Sequence, residues 1–146
     1  NLGRRLMAVD SQLRQQGHRE ILYIGTDAPM LEPQHYQAAI QSFQQMTVVL
    51  SAASDGGVTM MGSSCPWPDI EPLPWSTEHL GEALKECCNK AGLSVGYILP
   101  SYDIDVEADL RRLTDDLRQD TRPARQQLYE ELLSLIGEER KVCTTR

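Results

Sequence analysis

Ile21-Leu22-Tyr23-Ile24-Gly25-Thr26-Asp27-Ala28-Pro29 decides the fold class. Four apolar residues stand between the Arg19-Glu20 pair and a Gly-Thr-Asp turn, which is the pattern of a short strand buried on both faces. Upstream, Leu2, Leu6, Val9 and Leu13 recur at helical spacing among Arg4, Arg5, Asp10, Gln12 and Arg14, so residues 2–16 read as an amphipathic helix that Gly17 ends. Downstream, Pro33 suits a first helical turn, and Tyr36, Ala39, Ile40 and Phe43 continue a helix over 33–45. Thr47 to Ala52 is β-branched and short, a second buried strand, and Val58 to Met61 reads as a third.

The remainder keeps this alternation. Pro66, Pro68, Pro72 and Pro74, with Trp67 and Trp75, forbid a long helix and mark an irregular loop. Ser76-Thr77-Glu78 opens a helix to Asn89, Ser94 to Leu99 is a strand, Asp105 or Val106 opens another helix, and Pro123 starts a last one that Gly137 stops. Strands alternating with helices imply an α/β domain with right-handed crossovers and a mostly parallel sheet covered on both faces. The expected organisation is a single domain over 1–137 followed by a charged tail over 138–146.

The chain has 146 residues, enough for one core without a metal or disulfide staple. With 14 Lys and Arg against 21 Asp and Glu the net charge is −7, and no basic stripe exists to neutralise phosphates of a nucleic acid. No apolar run reaches membrane-spanning length and no signal-like start is present, so a cytoplasmic protein is expected. Cys65, Cys87, Cys88 and Cys143 lack the spacing of zinc or dithiol sites and read as free thiols. His18, His35 and His79 fall in polar contexts and read as solvent-facing.

Ligands of open α/β sheets bind beyond the carboxyl ends of strands, where three polar clusters fall. Asp27, in Gly25-Thr26-Asp27-Ala28-Pro29, is a candidate ligand of a hard divalent cation, or else forms an Asx turn or a helix cap. Asp55-Gly56-Gly57 would let backbone amides approach a phosphate or sugar, and Asp-Gly is equally the commonest hairpin turn. Asp103 and Asp105 share a face of an extended segment and could converge on Mg²⁺ or Mn²⁺; the competing reading has Asp105 capping a helix and Asp109 answering its dipole.

Taken in order, Leu2 to Leu6, Ile24 to Pro29, Ser54 to Gly57, Met61-Gly62, Trp75-Ser76-Thr77 and Asp103 to Leu110 resemble the bacterial glycosyltransferase-like proteins of the GT-A, nucleotide-diphospho-sugar transferase superfamily. That resemblance implies a Rossmann-like α/β/α sandwich, with the superfamily's opening strand and basic nucleotide loop lying upstream of Leu2, so that this chain reads as N-terminally truncated. It implies Asp27 as the central metal-binding aspartate and Asp105 as the second aspartate, beside Asp103. It further implies that Thr26, Asp55, Gly56, Gly57, Trp75, Ser76 and Thr77 face the nucleotide sugar or acceptor. Val58 and Thr59 stand where the family has two aromatic residues, and Val106 and Glu107 where its metal motif has Thr and Pro.

The expected function is a Mg²⁺- or Mn²⁺-dependent transferase of nucleoside-diphosphate sugars or of nucleotidyl groups, with an unassigned acceptor. Asp55 and Glu78 are the acids available as a base, neither singled out. The alternative is a non-catalytic domain of the same fold, a binding or oligomerisation module whose open sheet edge a homodimer would cover.

Overall fold

A computed structural model describes residues 1–143, and of residues 137–143 the backbone alone. The elements are α1 (Leu2–Gln15), β1 (Ile21–Ile24), α2 (Pro33–Ser42), β2 (Val48–Ala52), β3 (Val58–Ser63), α3 (Leu80–Lys90), β4 (Val95–Tyr97), α4 (Glu107–Leu117) and α5 (Pro123–Cys143). They fall into two compact units, residues 1–103 and the part from Ile104 onward.

In the first unit the four strands lie in the order β1-β3-β2-β4. The sheet is mixed, not mostly parallel: β3 runs antiparallel to both β1 and β2, and only β2 and β4 pair in parallel. The physical cause is the Asp55-Gly56-Gly57 turn. Gly56 sits at φ 95°, a conformation that costs a glycine little, and the chain reverses there so that β3 returns along β2. The helical crossover through α3 then restores the parallel direction for β4.

Period-two alternation sends successive β2 residues to two cores. Val48 and Leu50 join Met61, Trp67, Ile70, Leu84 and Cys88, onto which Leu6 and Met7 of α1 pack. Val49 joins Met60 and Ala39, with Tyr36 of α2 and its C-cap residue Phe43. Helices α1 and α3 therefore cover one face and α2 the other, the α/β/α layering expected from the sequence. The strands buried on both faces are β2 and β3; β1 lies at an edge of the sheet, with Ile24 48% exposed.

Asn1 caps α1 by accepting the Arg4 amide at 3.0 Å, and Gly17 at φ 95° ends the helix. Its buried residues are Gly3 and Asp10, while Leu2 and Val9 of the expected apolar stripe are 41% and 46% exposed. Asp10 goes inside because its charge is matched: Arg14 grips both carboxylate oxygens at 2.7 and 3.1 Å, and the Tyr23 hydroxyl donates to it at 3.2 Å. The same guanidinium donates to the Ser63 and Arg19 carbonyls, fastening α1 to the sheet end where β1 starts.

Helix α3 begins at Leu80, later than the expected Ser76, because Ser76 has φ 62° and cannot lie in a helix. The loop before it is anchored by its tryptophans. Trp67 is buried, and Trp75 packs on the same core with its indole N–H donating to the Ile70 carbonyl at 2.9 Å. Cys88, on the inner face of α3, is fully buried, and burial pushes its thiol up to about 12.

In the second unit, Val106 is the N-cap residue of α4, and the Asp109 carboxylate accepts the amides of Asp105 and Val106 at 3.1 and 3.0 Å. Leu113, Thr114, Leu117 and Leu132 are buried. The turn between the helices is tied by Asp120, whose carboxylate bonds Arg122 and is held below the usual range chiefly by that contact. Helix α5 runs on through Gly137 to Cys143, so that glycine does not stop it. One glycine costs only about 1 kcal/mol in a helix interior, which neighbouring turns can absorb. The Cys143 side chain and residues 144–146 of the expected tail lie outside the described residues.

Candidate metal and substrate site

The strand directions bring the carboxyl ends of β1, β2 and β4 to one end of the sheet. From that end emerge the segment carrying Asp27, the turn carrying Asp55, and the segment after β4 carrying Asp103.

Each segment is held by the sheet. The Gly25 amide donates to the Thr59 carbonyl at 3.0 Å, and the Ala53 amide to Gly57 at 3.0 Å. After β4, the Ile98 amide donates to Leu50 at 2.9 Å and the Ser101 amide to Ala52 at 3.1 Å. Below them lies a buried hydroxyl pair: Thr59 Oγ1 donates to Ser51 Oγ at 3.0 Å, and Ser51 Oγ donates to the Leu99 carbonyl at 2.7 Å. Such a chain polarises and rigidifies the strand ends in the low-dielectric interior.

Asp55 and Asp103 each present a carboxylate oxygen within 4.8 Å of the other. Asp55 is exposed and Asp103 half-buried. One oxygen of Asp55 accepts the Gly57 amide at 2.9 Å, fixing the carboxylate above the turn. Two carboxylates at this range repel, and a cation between them relieves the repulsion. The donors are hard oxygens, suited to Mg²⁺ or Mn²⁺ rather than to softer ions.

Asp27 is exposed, and its carboxylate folds back so closely over Gly25 that a Cβ there would stand 2.6 Å from Oδ1. It is not part of the close acidic group. Asp105 belongs to the second unit, and its amide donates to the Asp109 carboxylate.

The residues expected to face a sugar fall into two spatial sets. Gly56 meets the backbone before α3: a Cβ on it would stand 2.1 Å from the Glu78 carbonyl, and the Gly81 amide donates to the Gly56 carbonyl at 3.0 Å. The close approach that Gly56 permits is thus to the chain itself, and it sets Thr77 and Glu78 beside the Asp55–Gly57 turn. Ser76 holds an unusual positive φ at an exposed position, and the Thr77 hydroxyl donates to the Pro74 carbonyl at 2.8 Å. Trp75 has the contacts of a loop anchor, and Thr26 is exposed next to Asp27.

Two features escape sequence reading. Asp55, expected to face substrate, also lies beside Asp103; the signal for that meeting was the hairpin reading of Asp-Gly, which places the turn beside the segment leaving the adjacent strand. His35, expected in solvent, is 5% exposed. Its Nδ1 accepts the Glu32 amide at 3.0 Å and its Nε2 lies 3.3 Å from the Pro100 carbonyl. No local pattern announces a partner 65 residues away.

A family described as an uncharacterized protein conserved in bacteria (DUF2064) matches residues 1–77. The chain belongs to that family. The matched part includes Asp27, the Asp55–Gly57 turn and Trp75 to Thr77, and Asp103 lies beyond it. No curated protein matches the chain significantly. The fold is that of a candidate nucleotide-diphospho-sugar transferase from Desulfovibrio desulfuricans G20, with TM-score 0.77 and 21% identity over 92% of this chain. The chain spans 62% of that neighbour's length. Among the described residues no helix is long and apolar enough to cross a membrane.

Proposed function

We propose that this family member acts as a divalent-cation-dependent transferase of nucleoside-diphosphate sugars or of nucleotidyl groups. The observation that carries the reading is the meeting of Asp55 and Asp103 at the carboxyl ends of the strands, where open α/β sheets bind ligands. Support comes from the fold shared with the candidate transferase. Function argued on fold alone would be analogy, so the acidic pair, not the neighbour, is the basis of the test.

Asp55 and Asp103 would hold Mg²⁺ or Mn²⁺, with Asp105, two residues along the chain, a further oxygen donor on the sequence argument alone. When bound, that ion neutralises charge developing on the diphosphate as the sugar or nucleotidyl bond breaks. The Asp55 carboxylate is held ready by the Gly57 amide, and Asp103 is presented by the segment anchored at Leu99 and Ser101. Asp27, exposed at the same end, is available to orient the substrate through hydrogen bonds, as are Thr26, Ser76 and Thr77.

Calorimetric titration with UDP, GDP, CDP and ADP and their sugars, each with and without Mn²⁺, tests the reading. Mn²⁺-dependent binding of one nucleotide, lost in Asp103→Asn and in Asp27→Ala while the fold is kept, is the expected result. A folded Asp103→Asn chain that binds Mn²⁺ as the parent does would sink the metal assignment. A folded parent that binds neither nucleotide nor metal would leave the chain a non-catalytic module.

A further inference from the structure

We infer that His35 is a positioning residue for the acidic site, tying the start of α2 to the segment that presents Asp103; this rests on the reading of Asp55 and Asp103 as cation ligands. Helix α2 begins at Pro33 with Glu32 as N-cap, so His35 is its third residue, and its ring turns back over the helix start. There Nδ1 accepts the Glu32 amide at 3.0 Å. A ring nitrogen that accepts carries no proton, so the proton of the neutral imidazole sits on Nε2. That N–H points at the Pro100 carbonyl, 3.3 Å away, and donates to it. With the ring 5% exposed, both nitrogens are used inside the protein and one tautomer satisfies both bonds.

Three consecutive carbonyl or amide groups after β4 are thereby held by three different side chains or strands. Ser51 holds the Leu99 carbonyl at 2.7 Å, His35 the Pro100 carbonyl, and Ala52 the Ser101 amide at 3.1 Å. Two of the three come from β2. Only His35 reaches from the opposite layer, and Pro100 has no N–H by which β2 could hold it instead. Tyr102 follows, buried, and then Asp103. Removing the His35 bond frees the segment to shift at Pro100, three residues before the carboxylate that must meet Asp55. Groups that orient a ligand without touching the ion commonly change metal affinity 10–100-fold.

Two substitutions separate the ring's roles. Asn places an oxygen at the height of Nδ1, so His35→Asn keeps the acceptor for Glu32 and loses the reach to Pro100. Gln extends to the height of Nε2, so His35→Gln keeps the donor to Pro100 and loses the acceptor. Mn²⁺ titration is run on the parent and both variants, with melting curves to confirm folding and amide exchange read at Ser101 and Tyr102. The expected result is an affinity weakened about tenfold in His35→Asn and kept within about twofold in His35→Gln, with faster exchange at Ser101 and Tyr102 in His35→Asn alone. Parent-like affinity in a folded His35→Asn overturns the inference, and so does equal weakening in both variants that follows their melting temperatures. If the parent binds no Mn²⁺, the cation reading fails. Amide exchange then decides the tether: faster in His35→Asn than in His35→Gln supports it, and equal rates overturn it.

Discussion

Asp10 and Asp103 lie toward opposite ends of one sheet, and their surroundings differ in kind. Asp10 is 3% exposed, gripped by Arg14 through two bonds and capped by the Tyr23 hydroxyl; its charge is spent on holding α1 against β1 and β3. Asp103 has another carboxylate, Asp55, beside it in a half-open setting. An acid whose fork is filled by a guanidinium is a fastening, whereas two acids set side by side offer oxygens that could hold a cation.

Four changes tell the two acids and their surroundings apart. Asp10→Ala strands the Arg14 guanidinium and the Tyr23 hydroxyl, and loss of one partner of a buried pair costs about 3–5 kcal/mol, readable in urea unfolding. Gly56→Ala combines a positive φ with a Cβ 2.1 Å from the Glu78 carbonyl, so a loss of about 2 kcal/mol is expected by the same measurement.

Tyr23 supplies a pH test. Burial first, and then Asp10, push its phenol above its ordinary value near 10. The folded state keeps a proton that the unfolded state gives up, so stability is full below about pH 10 and falls as pH rises past it. Tyr23→Phe should flatten that alkaline fall, measured by melting temperature between neutral and strongly alkaline pH. At the small end, Asp103→Asn changes a half-buried acid rather than a sealed one, so without metal its stability should stay within about 1 kcal/mol of the parent. A loss as large as that of Asp10→Ala would erase the distinction between the two acids.

The layers of the fold were legible because Val48-Val49-Leu50 and the helical stripes around it are local patterns. Strand direction was not, since it hangs on whether Asp55-Gly56-Gly57 turns the chain back or leads into a crossover, and both begin alike. Asp10 was misplaced because the helical period sees a charge and puts it outside; only Arg14 and Tyr23 together make its burial affordable. The same blindness hid His35, whose second partner is supplied by tertiary structure. Of the candidate site, Asp103 and the Asp-Gly-Gly turn were found by position at strand ends, whereas the meeting of Asp55 with Asp103 required knowing that β2 and β4 are neighbours.

Cys88 turns the larger core into its own clock. Its thiol is sealed on the inner face of α3 and pushed up to about 12, so an alkylating reagent at neutral pH finds almost no thiolate and no path to it while the unit is closed. Cys65 and Cys87 are partly open and should be labelled first. Slow labelling that remains at Cys88 then counts the openings of the unit itself, with no cysteine introduced.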